Sequence, residues 1–104
     1  RLALVFDFDD TLAEDSYATL LRQLGLDPER FERERVQPLS QRGFDDTLAR
    51  FHCILQHSRA RAEGPLDRDF CARVGASLEP FPGVPEMFDH VIEWARAVVP
   101  DVAV

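Results

Sequence analysis

The sequence predicts an α/β fold with a helical insertion, on the basis of three patterns. Residues 2–6 form a continuous apolar run that stops at Asp7, which is typical of a strand buried on both faces of a parallel sheet. From Tyr17 the apolar residues recur at helical spacing, and they continue to do so as far as Ala95. Residues 98–104 are mostly apolar again and predict the approach to a second strand.

Composition limits the classes of protein to consider. The chain has 104 residues, of which 12 are basic and 19 acidic, so its formal charge is −7, and 45% of the residues are hydrophobic. The hydrophobic fraction excludes a disordered tail. The negative charge argues against a nucleic-acid partner held by a basic patch. All 12 basic residues are Arg. Schiff-base chemistry and a lysine clamp on phosphate are therefore excluded for this stretch.

The sequence shows no membrane or export signal. Its longest apolar runs, such as residues 2–6, are far shorter than the about 20 residues of a membrane-spanning helix. No secretory signal pattern opens the chain. We therefore expect no membrane partner and a cytoplasmic location. Cys53 and Cys71 lie in apolar helical patterns without CxxC spacing, which favours reduced thiols in or near the core.

Five helices are predicted between the two strands. The first ends at Gly25, and the second starts with Asp27 as cap and Pro28 in its first turn. The charged stretch 29–35 is predicted to be a solvated face. The inward faces of the first, third, fourth and fifth helices are predicted to be Tyr17, Leu20, Leu21 and Leu24; Phe44, Leu48, Phe51 and Leu55; Phe70, Val74 and Leu78; and Met87, Phe88, Val91, Ile92 and Ala95.

Several carboxylates follow the predicted first strand directly. Asp7 and Asp9 are an i, i+2 pair, which an extended chain directs to the same side, and Asp10 comes next. Carboxylates at close range repel each other unless a cation neutralises them, and Mg²⁺ prefers such oxygen ligands. Ligands of open α/β sheets bind beyond the carboxyl ends of the strands. The segment therefore predicts a magnesium site in which one carboxylate attacks and another moves a proton.

The acidic segment has three simpler explanations. An EF-hand loop from Asp7 requires Gly at its sixth position and Glu at its twelfth, but Leu12 and Ala18 stand there, so this explanation is excluded. A capping turn at Asp10 or Thr11 stays open, although it leaves the other carboxylates unexplained. A receiver domain would reach another strand after a single helix, whereas the pattern that follows here is helical.

Residues 7–12, with the sequence DFDDTL after an apolar strand, resemble the first motif, DxDx[T/V][L/V], of the haloacid dehalogenase-like hydrolases. Every specified position matches. Residues 81–84, FPGV, look like that family's return from its helical cap to its core. The resemblance implies a Rossmann-like α/β core, incomplete in this chain, formed by residues 1–15 and 79–104, with residues 16–78 inserted as the helical cap.

The resemblance also implies a chemistry. Asp7 would attack the phosphorus of a small phosphate ester and become an aspartyl phosphate, and Asp9 would act as general acid and base. The Asp7 carboxylate and the Asp9 backbone carbonyl would hold Mg²⁺. The backbone at Phe8, Asp9 and Asp10 would bind the phosphoryl oxygens. Asp9 together with Thr11 favours a phosphatase over a dehalogenase or a mutase.

The sequence departs from the family after its first motif. The family's Ser or Thr, its Lys or Arg and its further carboxylates all come after the cap, and no Lys occurs here. The chain is therefore expected to be the front part of such an enzyme and inactive by itself. The alternative from another class is a non-catalytic interaction module, whose helical segment binds a partner and whose acidic strand end is vestigial.

A few other residues have side chains that often act in sites. His52, His57 and His90 have no metal-binding spacing and are expected at the surface or in packing. Arg42 lies beside a glycine between two predicted helices, where it either meets an acidic group of a substrate or is an ordinary surface residue. Trp94 is expected to pack on the fifth helix.

Overall fold

The computed structural model describes all 104 residues and contains helices but no β-sheet. A lack of any sheet contradicts the predicted α/β fold. The resemblance to the haloacid dehalogenase-like hydrolases is wrong for the same reason, since that family's first motif belongs to a sheet. The helices are α1 (Ser16–Gln23), α2 (Pro28–Phe31), a π-helix (Glu32–Val36), α3 (Gln37–Ser40), α4 (Asp46–Arg59), α5 (Arg68–Ala76) and α6 (Val84–Val98).

Residues 1–8 have no regular secondary structure. One backbone hydrogen bond, from Leu2 N to Ala103 O at 2.9 Å, joins them to residues 98–104, which are also not a strand. A strand needs hydrogen bonds repeated along a neighbour, and the helical patterns between these segments supply no such neighbour. The side chains predicted to be buried are exposed, with Val5 reaching 91%. An apolar run was therefore insufficient to make a strand.

The chain divides into two compact units, residues 1–16 with 78–104, and residues 17–77. In the first unit, Ala13 is buried, and Phe81 N donates to Leu12 O at 2.8 Å. The rings of Phe6 and Phe88 meet edge to face, with their centroids 5.6 Å apart. No helix of the chain is both long enough and apolar enough to cross a membrane.

The second unit has a core contributed by three helical segments. α1 contributes Leu21, which is fully buried, as predicted. The continuous segment formed by α2, the π-helix and α3 begins at the predicted cap, since an oxygen of Asp27 accepts the amide of Arg30 at 2.7 Å. Asp27 is thus confirmed as a helix cap. The buried core residues are Leu21, Phe31, Val36, Ala49, Cys53 and Ile54.

α4 presents the opposite face to the core from the one predicted. Phe44, Leu48, Phe51 and Leu55, which we call the α4 stripe, are exposed by 49%, 64%, 60% and 55%. The buried face carries smaller side chains, of which Ala49 is fully buried. Small side chains permit close packing of helices, and polar bonds described below hold this face against the π-helix. The predicted inward face is therefore wrong.

Two further packing predictions fail in part. Ala95 is the one fully buried residue of α6, while Phe88 and Trp94 are exposed by 38% and 69%, so Trp94 is not a packing residue. Val74 is the buried residue of α5. α6 is the one long helix of the first unit, so no second helix of that unit covers its apolar face.

Cys53 is buried as predicted, but Cys71 is exposed.

Candidate functional site

The predicted functional carboxylates lie in a tight turn, residues 7–13, which we call the acidic turn. The carbonyl of Phe8 accepts hydrogen bonds from the amides of residues 11–13 at 3.3, 2.9 and 3.2 Å. The amide of Asp10 donates to the carbonyl of Ala13 at 2.9 Å and closes the turn from the other side. Asp10 has φ 55°, in the left-handed region that Asp tolerates better than most residues. The backbone of the turn is thus held by its own hydrogen bonds.

Asp9 is oriented by the beginning of α1. Its Oδ1 accepts the backbone N–H of Ser16, the first residue of the helix, at 2.8 Å. The first amides of a helix have no partners within the helix and carry partial positive charge, so they favour a carboxylate. This bond occupies one carboxylate oxygen and does not use the other. Asp9 is therefore held in place through one of its two carboxylate oxygens.

The structure does not gather the carboxylates into a metal cage. Asp7, Asp9 and Asp10 are all exposed, and no three His, Cys, Asp or Glu side chains are grouped to hold a metal ion. Mg²⁺ that arrives with a phosphate needs fewer protein ligands, because one or two carboxylates, waters and the phosphate oxygens complete its shell. The Asp7 carboxylate and the Asp9 carbonyl are oxygen donors of this kind. The donor set fits that second type of magnesium site.

The amides predicted to bind the phosphoryl oxygens are not equivalent. The Asp10 amide already donates to Ala13 inside the turn. No backbone carbonyl of the turn accepts the amides of Phe8 and Asp9. These two are consequently the predicted amides that a phosphoryl group could use without breaking the turn.

The other predicted candidates are scattered. His52 and His57 lie on α4, and His90 lies on α6. They form no metal-binding group with acidic side chains or cysteines. Arg42 is exposed in the turn between α3 and α4. None of these residues adds a group to the acidic turn that the structure describes.

One polar cluster was missed by sequence reasoning. Glu32 of the π-helix accepts hydrogen bonds from the hydroxyl of Tyr17 at 3.1 Å and from Nη2 of Arg50 at 3.1 Å. The Arg50 guanidinium also lies 5.1 Å from the centre of the Tyr17 ring, in cation–π geometry. The prediction of a fully solvated face over residues 29–35 is wrong at Glu32, whose side chain is 26% exposed. No local pattern marks partners that lie 15 and 18 residues away.

The cluster changes the acidity of its members. Burial, and next the hydrogen bond and charge of Glu32, raise the pKa of Tyr17. The hydrogen bond to Glu32 raises the pKa of Arg50, against a smaller opposing effect of burial. Tyr17 is therefore a neutral donor, and Arg50 a permanent cation, over the physiological range. Such a cluster binds three helical segments together but offers no group poised for proton transfer.

Near this cluster, a cavity of about 160 Å³ lies beside Cys53. Burial raises the pKa of the Cys53 thiol, and its Sγ donates to the carbonyl of Arg35 at 3.3 Å. Cys53 is therefore a buried, hydrogen-bonded member of the core of the second unit.

No protein-family model matches the chain, and neither a curated protein nor a solved structure matches it.

Proposed function

We propose that the acidic turn transfers a phosphoryl group from a small phosphate ester to Asp7, with Mg²⁺ as cofactor, and so acts in a phosphatase. The observation that carries the proposal is the 2.8 Å bond between Ser16 N and Asp9 Oδ1. This bond fixes the Asp9 carboxylate, and the exposed carboxylate of Asp7 lies two residues before it. A pair of this kind allows one carboxylate to act as the nucleophile and the other as the general acid and base.

The two carboxylates divide the reaction between them. A carboxylate oxygen of Asp7 attacks phosphorus, an oxygen–phosphorus bond forms, and the ester oxygen–phosphorus bond breaks. Asp9, in its protonated form, gives its proton to the leaving oxygen and becomes a carboxylate. It then takes a proton from the water that attacks the acyl phosphate, which releases phosphate and restores both residues. Each step uses the Asp9 oxygen that Ser16 leaves unoccupied.

Mg²⁺ would be held by the Asp7 carboxylate and the Asp9 carbonyl, and when bound it offsets the negative charge that phosphate and carboxylates bring together. The amides of Phe8 and Asp9 would orient the phosphoryl oxygens. The sequence has no Lys to hold those oxygens as a cation. We therefore expect these 104 residues to accept a phosphoryl group at Asp7 from a reactive donor, but to be inactive as a phosphatase by themselves.

Beryllofluoride, a phosphoryl mimic that bonds to carboxylates, tests the assignment of Asp7. Fluorine NMR of the chain should show bound beryllofluoride only when Mg²⁺ is present. Asp7→Asn should abolish the bound signal, whereas Asp101→Asn, which changes an exposed carboxylate outside the acidic turn, should retain it. A bound signal of equal size in Asp7→Asn would remove Asp7 from the proposal.

The role of Asp9 is tested by the lifetime of the acyl phosphate. Asp9→Asn keeps the backbone carbonyl, so the chain should still bind Mg²⁺ and still accept a phosphoryl group from acetyl phosphate. The acyl phosphate should decay about 10²–10⁴-fold more slowly, because general base catalysis contributes a factor of that size. An unchanged lifetime at neutral pH excludes Asp9 as the base.

A second function, a helical interaction module, is favoured by one specific observation. The α4 stripe is a set of large apolar side chains that are each about half exposed or more, and three of them lie on a helix whose other face is buried. Contiguous exposed apolar surface usually marks a binding surface. If the α4 stripe serves binding, Phe51→Glu should change the free energy of unfolding of the monomeric chain, measured at low chain concentration, by no more than about 0.5 kcal/mol, as expected at an exposed site. A larger loss would mean that the stripe serves the fold instead.

A further inference from the structure

We propose that two copies of this chain associate through α4, antiparallel to each other, with the α4 stripe of one copy packed on that of the other. The inference deepens the second proposed function and rests on it, because it names the partner that covers the exposed face. It is independent of the phosphoryl chemistry of the acidic turn.

The α4 stripe has the form of a helix-packing surface. Three of its members, Leu48, Phe51 and Leu55, follow each other at intervals of three and four residues, which places them on one side of α4, and Phe44 lies just before the helix begins. All four are exposed by about half or more. This is the periodicity by which two helices pack along their length.

The ends of the stripe carry opposite charges. Asp45 is exposed beside its N-terminal end, and Arg59 is exposed on the same side of the helix at its C-terminal end. An antiparallel arrangement brings the acidic end of each helix to the basic end of the other, and it also opposes the two helix dipoles. A parallel arrangement would place like charges together. The charge distribution therefore complements that of a second copy in one orientation.

The arrangement also closes on itself. A two-fold axis near Phe51 places Leu48 of one copy opposite the partner's Leu55, and the reverse. Both copies then use the same surface, so a dimer forms and no longer assembly grows. Phe51 is the large side chain closest to the axis, where it meets Phe51 of the other copy. Substitution at this position should therefore affect the dimer most.

Sedimentation equilibrium of the 104-residue chain tests the proposal. The wild type should fit a monomer–dimer equilibrium that approaches twice the 11.9 kDa of one chain. Phe51→Glu should raise the dimer Kd at least about tenfold, because two carboxylates then face each other near the axis. Trp94→Glu is the matched control, since it changes an aromatic side chain of similar exposure on α6 and should leave Kd unchanged.

A charge exchange tests the orientation. Arg59→Glu should weaken the dimer at low salt, and the addition of Asp45→Asn should restore part of the affinity. The amide oxygen of Asn can still accept the Leu48 amide, which Asp45 Oδ1 accepts at 3.1 Å, so the helix cap is kept. An unchanged Kd in Arg59→Glu contradicts the antiparallel pair.

A wild-type chain that stays monomeric overturns the proposed dimer. If Phe51→Glu then leaves the free energy of unfolding unchanged, the α4 stripe remains a free surface for a different partner, and the interaction module stands without the dimer. If Phe51→Glu instead unfolds the chain, as circular dichroism would report, the dimer and the interaction module fail together.

Discussion

The hydroxyl of Tyr17 donates a hydrogen bond to Oε2 of Glu32 across 3.1 Å, and so joins α1 to the π-helix. The same carboxylate accepts Nη2 of Arg50 on α4 at 3.1 Å. One acidic side chain thus connects three helical segments. Because Arg50 is directed to the π-helix, the side chains on the far side of α4 are left exposed. The rotation of α4 about its axis is explained by this cluster as much as by apolar packing.

Alkaline pH should weaken the fold through Tyr17. Burial and Glu32 raise its pKa above the ordinary 10.0, so the folded chain holds the phenol proton more tightly than the unfolded chain. The resulting stabilisation is complete below pH 10.0 and is lost as the pH rises toward the folded pKa. Tyr17 is the single tyrosine, so phenolate absorbance reports it alone. Titration of the Tyr17 phenol at its ordinary pKa in the native chain would contradict the prediction. In Tyr17→Phe, the Tm should fall less steeply as the pH rises.

The ion pair in this cluster should contribute a modest free energy. Glu32→Gln is expected to lower the free energy of unfolding by about 1 kcal/mol, because solvent screens a pair whose Arg50 side chain is 43% exposed. Urea unfolding measures this loss. The matched control is Glu34→Gln, which removes a more exposed pair with Arg30, and there the loss should be about 0.3 kcal/mol. Equal losses would show that Glu32 has no special role.

Truncation of a buried side chain and of an exposed one should change the free energy of unfolding by very different amounts. Leu21 is fully buried, so Leu21→Ala should cost about 2–5 kcal/mol of unfolding free energy by leaving a cavity. Leu48 is 64% exposed, so Leu48→Ala should change the value by no more than about 0.5 kcal/mol. The comparison is made by urea unfolding at a chain concentration low enough to keep the protein monomeric. A large loss in Leu48→Ala would restore the inward face that the sequence predicted.

Glycine conformation gives a test in the first unit. Gly83 precedes α6 with φ 87°, in the left-handed region, and a Cβ there would meet no atom within 4 Å. Gly83→Ala should therefore lose about 1–2 kcal/mol through backbone strain alone. Gly75 lies inside α5, in the second unit, with equally open surroundings, so Gly75→Ala should gain about 0.5–1 kcal/mol there. Fluorescence of Trp94, the single tryptophan, follows unfolding of the first unit and measures the loss in Gly83→Ala, whereas loss of the helical circular dichroism signal on urea unfolding measures the gain in Gly75→Ala.

Local signals in the sequence predicted the helices well. Asp27 and Pro28 marked a helix start, and Gly25, with φ 72°, follows the end of α1. Such signals act through hydrogen bonds and backbone angles within a few residues, so the residues responsible are close together in the sequence and can be recognised there. The inward face of α4 is different in kind. It depends on the contact of Arg50 with Glu32, which lies 18 residues earlier in the chain. The larger apolar residues are on the other face of α4, and they led to the wrong prediction of its inward face.

The strand over residues 2–6 failed for a related reason. A strand is stabilised by its neighbours, and an apolar run shows only that burial would be favourable. The carboxylates after it were predicted as a group, but the bond that orients Asp9 comes from Ser16, seven residues later. The capping turn that the sequence left open was placed at Asp10 or Thr11. The structure places the side-chain bond to the helix on Asp9 instead.

Chemical trapping identifies the residue that receives the phosphoryl group. The chain is incubated with acetyl phosphate and Mg²⁺, quenched, and reduced with borohydride, which converts an aspartyl phosphate into homoserine. Peptide mass mapping should then place homoserine at position 7, in yield that depends on Mg²⁺ and is higher in Asp9→Asn. Homoserine at another carboxylate, or at none, would contradict phosphoryl transfer to Asp7.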